Sequence, residues 1–88
     1  MQKIRKDAIL GHNIRSMRIE AKLTQEQVVA RMQLAGCDIS RSIYSQIEGG
    51  TYNIRATELA ALREIFGVDY NAFFEGIETP GNGSSETK

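Results

Sequence analysis

Between Ser40 and Gly50 the chain reads Ser-Arg-Ser-Ile-Tyr-Ser-Gln-Ile-Glu-Gly-Gly. At helical spacing Ile43, Tyr44 and Ile47 point one way and leave Arg41, Ser42, Ser45 and Gln46 on the opposite face. That face offers a cation, hydroxyls and a carboxamide, with no acid and no large hydrophobe. Such side chains recognise a partner by hydrogen bonds. Sets that break bonds are missing elsewhere. His12 and Cys37 are the single imidazole and thiol, they fall on different segments, and no carboxylate pair or glycine-rich phosphate loop accompanies them. The chain is therefore expected to be no enzyme and to hold no metal or cofactor. His12 is expected on the exposed side of its helix, and Cys37 as a small apolar filler against Met32; redox sensing by Cys37 is the alternative.

Helices must position the polar face. From Asp7 to Ala21, apolar Leu10, Ile14, Met17 and Ala21 mark one face of a first helix, and the turn at Lys22 would favour a glycine. A second helix opens at Thr24, which can cap while Gln27 reaches back and Leu23 packs on Val28. Val28, Met32 and Ala35 give its buried stripe, and Gly36 ends it. Ser40 caps the third helix, with Ile39 stapled on Tyr44, and Gly49-Gly50 stops it. Leu59, Leu62, Ile65 and Phe66 mark a fourth, ended by Gly67, and Asp69 caps a short fifth with Val68 placed to pack on Phe73. Tyr70, Phe73 and Phe74 are more aromatic surface than so short a helix hides easily. Simple burial and a dimer contact would each account for them.

With 88 residues and 41% hydrophobic content the chain can form one small domain, placed at residues 7–76. Residues 1–6 form a basic lead, a solvated tail or an arm touching phosphates beside the main site. Residues 77–88 are expected to be disordered, because the end from Thr79 to Lys88 is rich in Gly and Ser without an apolar anchor; it is a plain tail or a stub to a further domain. Formal net charge is +0 and the pI about 6.6, so the overall balance does not point to a polyanion partner. The distribution does: up to Arg55 nine basic residues face five acidic ones, and beyond it two face six. One cysteine and no disulfide framework indicate a reducing compartment, with the cytoplasm as default. The apolar run Ala8 to Leu10 is too short for a signal peptide, and nothing approaches a membrane span.

Ile14-Arg15 and Met17-Arg18, then Leu23-Thr24-Gln25-Glu26-Gln27-Val28, then Ser40-Arg41-Ser42 through Ile47-Glu48 and Gly50, and finally Leu59 to Val68 follow one another in a telling order. Over roughly Leu10 to Glu75 the chain resembles the helix-turn-helix domains of the Cro and phage-repressor family of bacterial regulators, also called the xenobiotic-response-element family. The resemblance implies an all-α, compact five-helix lambda-repressor-like DNA-binding domain with the helix-turn-helix at helices 2 and 3. Two departures stand out. Gln33 to Ile39 separate Met32 from Ser40, where the family uses about two or three residues. This matches a subgroup with a longer connection, implies a second helix longer by about one turn, and leaves the docking angle of helix 3 open. Val29 stands where the family usually keeps alanine, and the longer connection would create the room.

The resemblance also implies a partner, double-stranded DNA. In the major groove Arg can bond guanine O6 and N7 as a fork, Gln can bond adenine N6 and N7, and Ser can serve either way. Arg41, Ser42, Ser45 and Gln46 suit that role. Gln25 would lie against a phosphate with backbone N–H groups at a helix N-terminus. Tyr52, Asn53 and Arg55 would take the other flank, their alternative being plain solvated surface, with Arg15 and Lys22 adding diffuse attraction. Arg18 and Glu48 would form a partly buried ion pair that fixes geometry. One Arg and one Gln make a modest reader, so a homodimer on a palindromic operator, acting as a transcriptional repressor, is expected. The competing class is a protein-binding helix-turn-helix module such as an antitoxin or partner-regulator. It would need an apolar anchor on the face of helix 3.

Overall fold

The structure, a computed structural model, describes residues 6–77; the expectations for residues 1–5 and 78–88 lie outside them. Five helices and no strand occur among the described residues: α1 (Lys6–Glu20), α2 (Gln25–Leu34), α3 (Arg41–Gly49), α4 (Ala56–Phe66) and α5 (Tyr70–Phe73). This is the all-α, five-helix architecture expected, with α2 and α3 where the helix-turn-helix was expected.

Local chemistry sets most of the helix ends. At α2 the Thr24 hydroxyl accepts from the Gln27 backbone N–H at 3.1 Å, and the Gln27 side chain accepts from the Thr24 N–H at 2.8 Å, a complete capping box. The Ser40 hydroxyl accepts from the Ile43 N–H at 3.1 Å and starts α3. Asp69 departs from expectation: it precedes α5, but its side chain makes no capping bond, and the Ala72 N–H bonds the Asp69 carbonyl instead. At the other ends α1, α2 and α3 share one device, a left-handed residue followed by a backbone bond reaching back over the last turn. Lys22, Gly36 and Gly50 supply that residue, with φ of 61°, 97° and 81°. Lys22 holds without glycine the turn that would favour one.

The core is built from Ile14, Val28, Met32, Tyr44, Leu62 and Phe73, all fully inaccessible, with Val29, Ile39 and Ile47 nearly so. Three expectations need correction. Ala21 and Ala35, placed on buried stripes, are exposed because each lies in the turn leaving its helix. Phe73, grouped with Tyr70 and Phe74 as a dimer contact, is a core residue; only Tyr70 and Phe74 are exposed. And α2 gains only Gln33 and Leu34 beyond Met32, about half a turn rather than a full one.

The rest of the long connection is not loose. Cys37 N–H bonds the Met32 carbonyl at 2.9 Å, the Gln33 side-chain amide donates to the Ile39 carbonyl at 2.8 Å, and Ile39 is 3% exposed. Two long-range devices set α1 against its neighbours. Gly11 lies where α1 meets the end of α3, so close that a Cβ there would stand 2.5 Å from the Glu48 carbonyl oxygen. The Asn13 amide donates to the carbonyls of Phe73 and Glu75 at 2.8 and 2.9 Å, tying α5 down.

Candidate nucleic-acid interface

Burial divides α3 in two. Tyr44 and Ile47 face the core and Ile43 is half-buried, which turns Arg41, Ser42, Ser45 and Gln46 outward, all four exposed. Those four side chains lie on one face because the capping bond to Ser40 starts the helix at Arg41 and left-handed Gly50 ends it after Gly49.

A connected set of polar bonds holds that face against α1 and α2. Arg18 donates from Nε to Glu48 Oε2 at 2.6 Å and from Nη2 to Oε1 at 3.2 Å, while its Nη1 donates to the Leu23 carbonyl at 3.0 Å. The two side chains are only 13% and 4% exposed. Gln25 then bridges the pair to the surface. Its Nε2 donates to Glu48 Oε1 at 2.9 Å, and its Oε1 accepts from Arg41 Nε at 2.8 Å and from Ser45 Oγ at 3.1 Å. Arg41 Nη1 also donates to Glu26 Oε2. Burial alone would raise the Glu48 carboxyl's pKa, but the hydrogen bonds from Arg18 and Gln25 outweigh it and hold the value below the ordinary carboxylate range. Burial pushes the neighbouring Tyr44 hydroxyl up, and the Glu48 carboxylate adds to the shift.

The structure therefore joins residues that the sequence treated separately. Gln25, placed at a phosphate by the resemblance, spends its side chain mostly on binding α3 to α2. One amide hydrogen remains, on the residue that opens α2, where the first backbone N–H groups have no intrahelical partner. Arg41 and Ser45 are braced from α2, and Glu26, which had no assigned role, holds Arg41. No local spacing links Glu26 to Arg41; only the crossing of α2 and α3 does.

On the other flank Asn53 and Arg55 are exposed. Tyr52 is half-buried, and its hydroxyl donates to Glu58 Oε2 at 2.9 Å; that bond, before all else, pushes the hydroxyl's pKa up. Glu58, 3% exposed, needs donors for both oxygens, and the Arg55 N–H supplies the other at 2.8 Å. The Tyr52 proton is thus committed inward, and the residue shapes the loop that carries Asn53 and Arg55. His12 is exposed, and Cys37 is half-buried with a thiol whose pKa burial raises. Among the described residues no cluster of His, Cys, Asp and Glu could hold a metal ion, and no helix is long and apolar enough to cross a membrane.

No curated protein and no solved structure matches the chain significantly. A family model described as a helix-turn-helix domain matches residues 11–78, a span that contains all of α2, α3, α4 and α5. Domains of this kind serve DNA-binding transcription regulation in general and are typically not enzymes. With its α2–α3 unit inside the matched span and an acid-free face exposed on α3, the chain belongs to the family of DNA-binding helix-turn-helix domains.

Proposed function

We propose that the protein is a sequence-specific regulator of the Cro and phage-repressor type, one that inserts α3 into the major groove of double-stranded DNA and acts as a repressor. The observation that carries this reading is the outward face of α3, where Arg41, Ser42, Ser45 and Gln46 are exposed together with no acid and no large apolar side chain among them. Arg41 reads guanine, Gln46 reads adenine, and Ser42 and Ser45 serve either base. The remaining Gln25 amide hydrogen and the N-terminal N–H groups of α2 meet one phosphate, and Asn53 and Arg55 meet another, with Tyr52 holding their loop. So few base contacts call for two domains, so the functional unit is a homodimer on a palindromic operator in the cytoplasm. A protein-binding module would carry an apolar anchor on this face.

Selection of bound sequences from a random duplex pool tests the proposal. A palindromic winner whose preference is lost in Arg41→Ala and Gln46→Ala supports it. Neutralising Arg55 is then expected to weaken all duplexes alike and to shallow the salt slope by roughly one. Equal affinity for the selected and the random duplex would overturn sequence-specific recognition.

A further inference from the structure

The ion pair between Glu26, in the first turn of α2, and Arg41, at the start of α3, is unlike the pair beneath it. Its side chains are 67% and 53% exposed, so water and salt leave it little weight in the stability of the fold. It does fix the direction of a guanidinium. That group carries five N–H donors in one plane. Gln25 Oε1 takes the Nε hydrogen at 2.8 Å and Glu26 takes a hydrogen of Nη1, which leaves both Nη2 hydrogens and one of Nη1 without a partner among the described residues. An Nη1 and an Nη2 hydrogen side by side form the fork that fits guanine O6 and N7. An arginine without these anchors swings on a flexible stem and takes a phosphate oxygen as readily as a base, because either satisfies its charge. The anchoring comes at some expense of attraction, since the Glu26 carboxylate stands at a helix N-terminus offered to DNA phosphates.

We propose that Glu26 is a specificity-determining positioning residue: by holding Arg41 against α2 it commits that side chain to guanine, and it gives up overall affinity in doing so. The inference rests on the DNA-binding reading above. It assigns Glu26 no contact of its own with DNA; Glu26 acts through Arg41.

The test compares wild type, Glu26→Ala and Arg41→Ala on the selected operator and on variants with each base pair of the half-site replaced. Arg41→Ala identifies the pair that Arg41 reads. At that pair Glu26→Ala is expected to lower the preference for guanine by about threefold to tenfold, while all duplexes bind more tightly and the salt slope steepens by roughly one as the freed arginine takes a phosphate. Thermal melting is expected to match wild type, so the change cannot be charged to unfolding. An unchanged guanine preference in a Glu26→Ala protein that melts like wild type overturns the proposal, as does an Arg41→Ala protein that keeps every preference. A wild type that selects no operator overturns the DNA-binding reading first, and this inference with it.

Discussion

Among the described residues two ion pairs join α3 to its neighbours, and water separates their energetics. Arg18 and Glu48 are 13% and 4% exposed, Arg41 and Glu26 53% and 67%. Removing one partner of the enclosed pair strands a charge whose lost hydration is not returned, so Glu48→Ala is expected to cost about 3 kcal/mol in urea unfolding. Glu26→Ala is expected to cost less than ~1 kcal/mol in the same assay. Acid adds a second expectation at Glu48. Its carboxyl is held below the ordinary 4.5 in the folded chain, with burial opposing and the Arg18 and Gln25 bonds prevailing. As pH falls the unfolded chain therefore takes up the proton first. The stability that Glu48 contributes is fully present above the unfolded value and is lost as pH falls through the folded one. Glu48→Gln should consequently differ from wild type by more near pH 7 than at about pH 3, as read by denaturant midpoints across the range. The candidate pair came from a family resemblance, since nothing local connects Arg18 to Glu48. What the resemblance did not reveal is Gln25, which turns that pair into a brace for Arg41 and Ser45.

The order of helices was legible because their ends are written in neighbouring residues. Thr24 with Gln27, Ser40 with Ile43, and the glycines Gly36, Gly50 and Gly67 each act within one turn, so a reader of the sequence has every partner in view. Asp69 shows the limit of that logic, for a residue type suited to capping makes no capping bond when the backbone closes the turn by itself. Gly11 shows a deeper limit. On a helical wheel it is an unremarked interruption of α1, and its reason lies on α3, where the carbonyls of Ile47 and Glu48 approach its α-carbon. Backbone on both sides leaves no flexible side chain to move aside. Gly11→Ala is therefore expected to force α1 and α3 apart and to lower stability by at least ~2 kcal/mol, even though alanine is the better helix former. Equilibrium unfolding of the variant checks this. If alanine instead raised the stability, the close crossing of α1 and α3 would be wrong. Shifting that crossing also moves Glu48, so the same substitution should disturb the brace on Arg41 without touching the exposed face.

At the scale of the molecule, the question is what a second copy would hold on to. The charge distribution gives α3 a basic half of the sequence to sit in and gathers acids beyond Arg55, which suits one side turned to phosphates and the other turned away. Of the three aromatics at the chain's rear, Phe73 is spent on the core, and Tyr70 has Arg63 over its ring at 5.0 Å. Phe74, 46% exposed, has no such cover among the described residues. Ile19, 50% exposed, lies on the rim of an open groove of about 420 Å³ between α1 and α5 that is also lined by Met17, Val68 and Ala72. If the homodimer proposed for the operator complex uses this side, burying the exposed part of Phe74 against a second copy contributes on the order of 1–2 kcal/mol per protomer. Phe74→Ser is then expected to leave the monomer's melting temperature nearly unchanged, because half of the ring is already in water. It should weaken self-association and cooperative filling of the two half-sites by about tenfold or more. Sedimentation of the free protein and titration of full and half operators separate the two effects. A variant that keeps both the wild-type association and the wild-type cooperativity would remove Phe74 from the dimer contact and send the search for it to another face, while the proposed assignment of Arg41 and Gln46 to bases would stand, because both lie on α3, whose setting comes from Arg18, Gln25 and Glu48, with Glu26 holding Arg41.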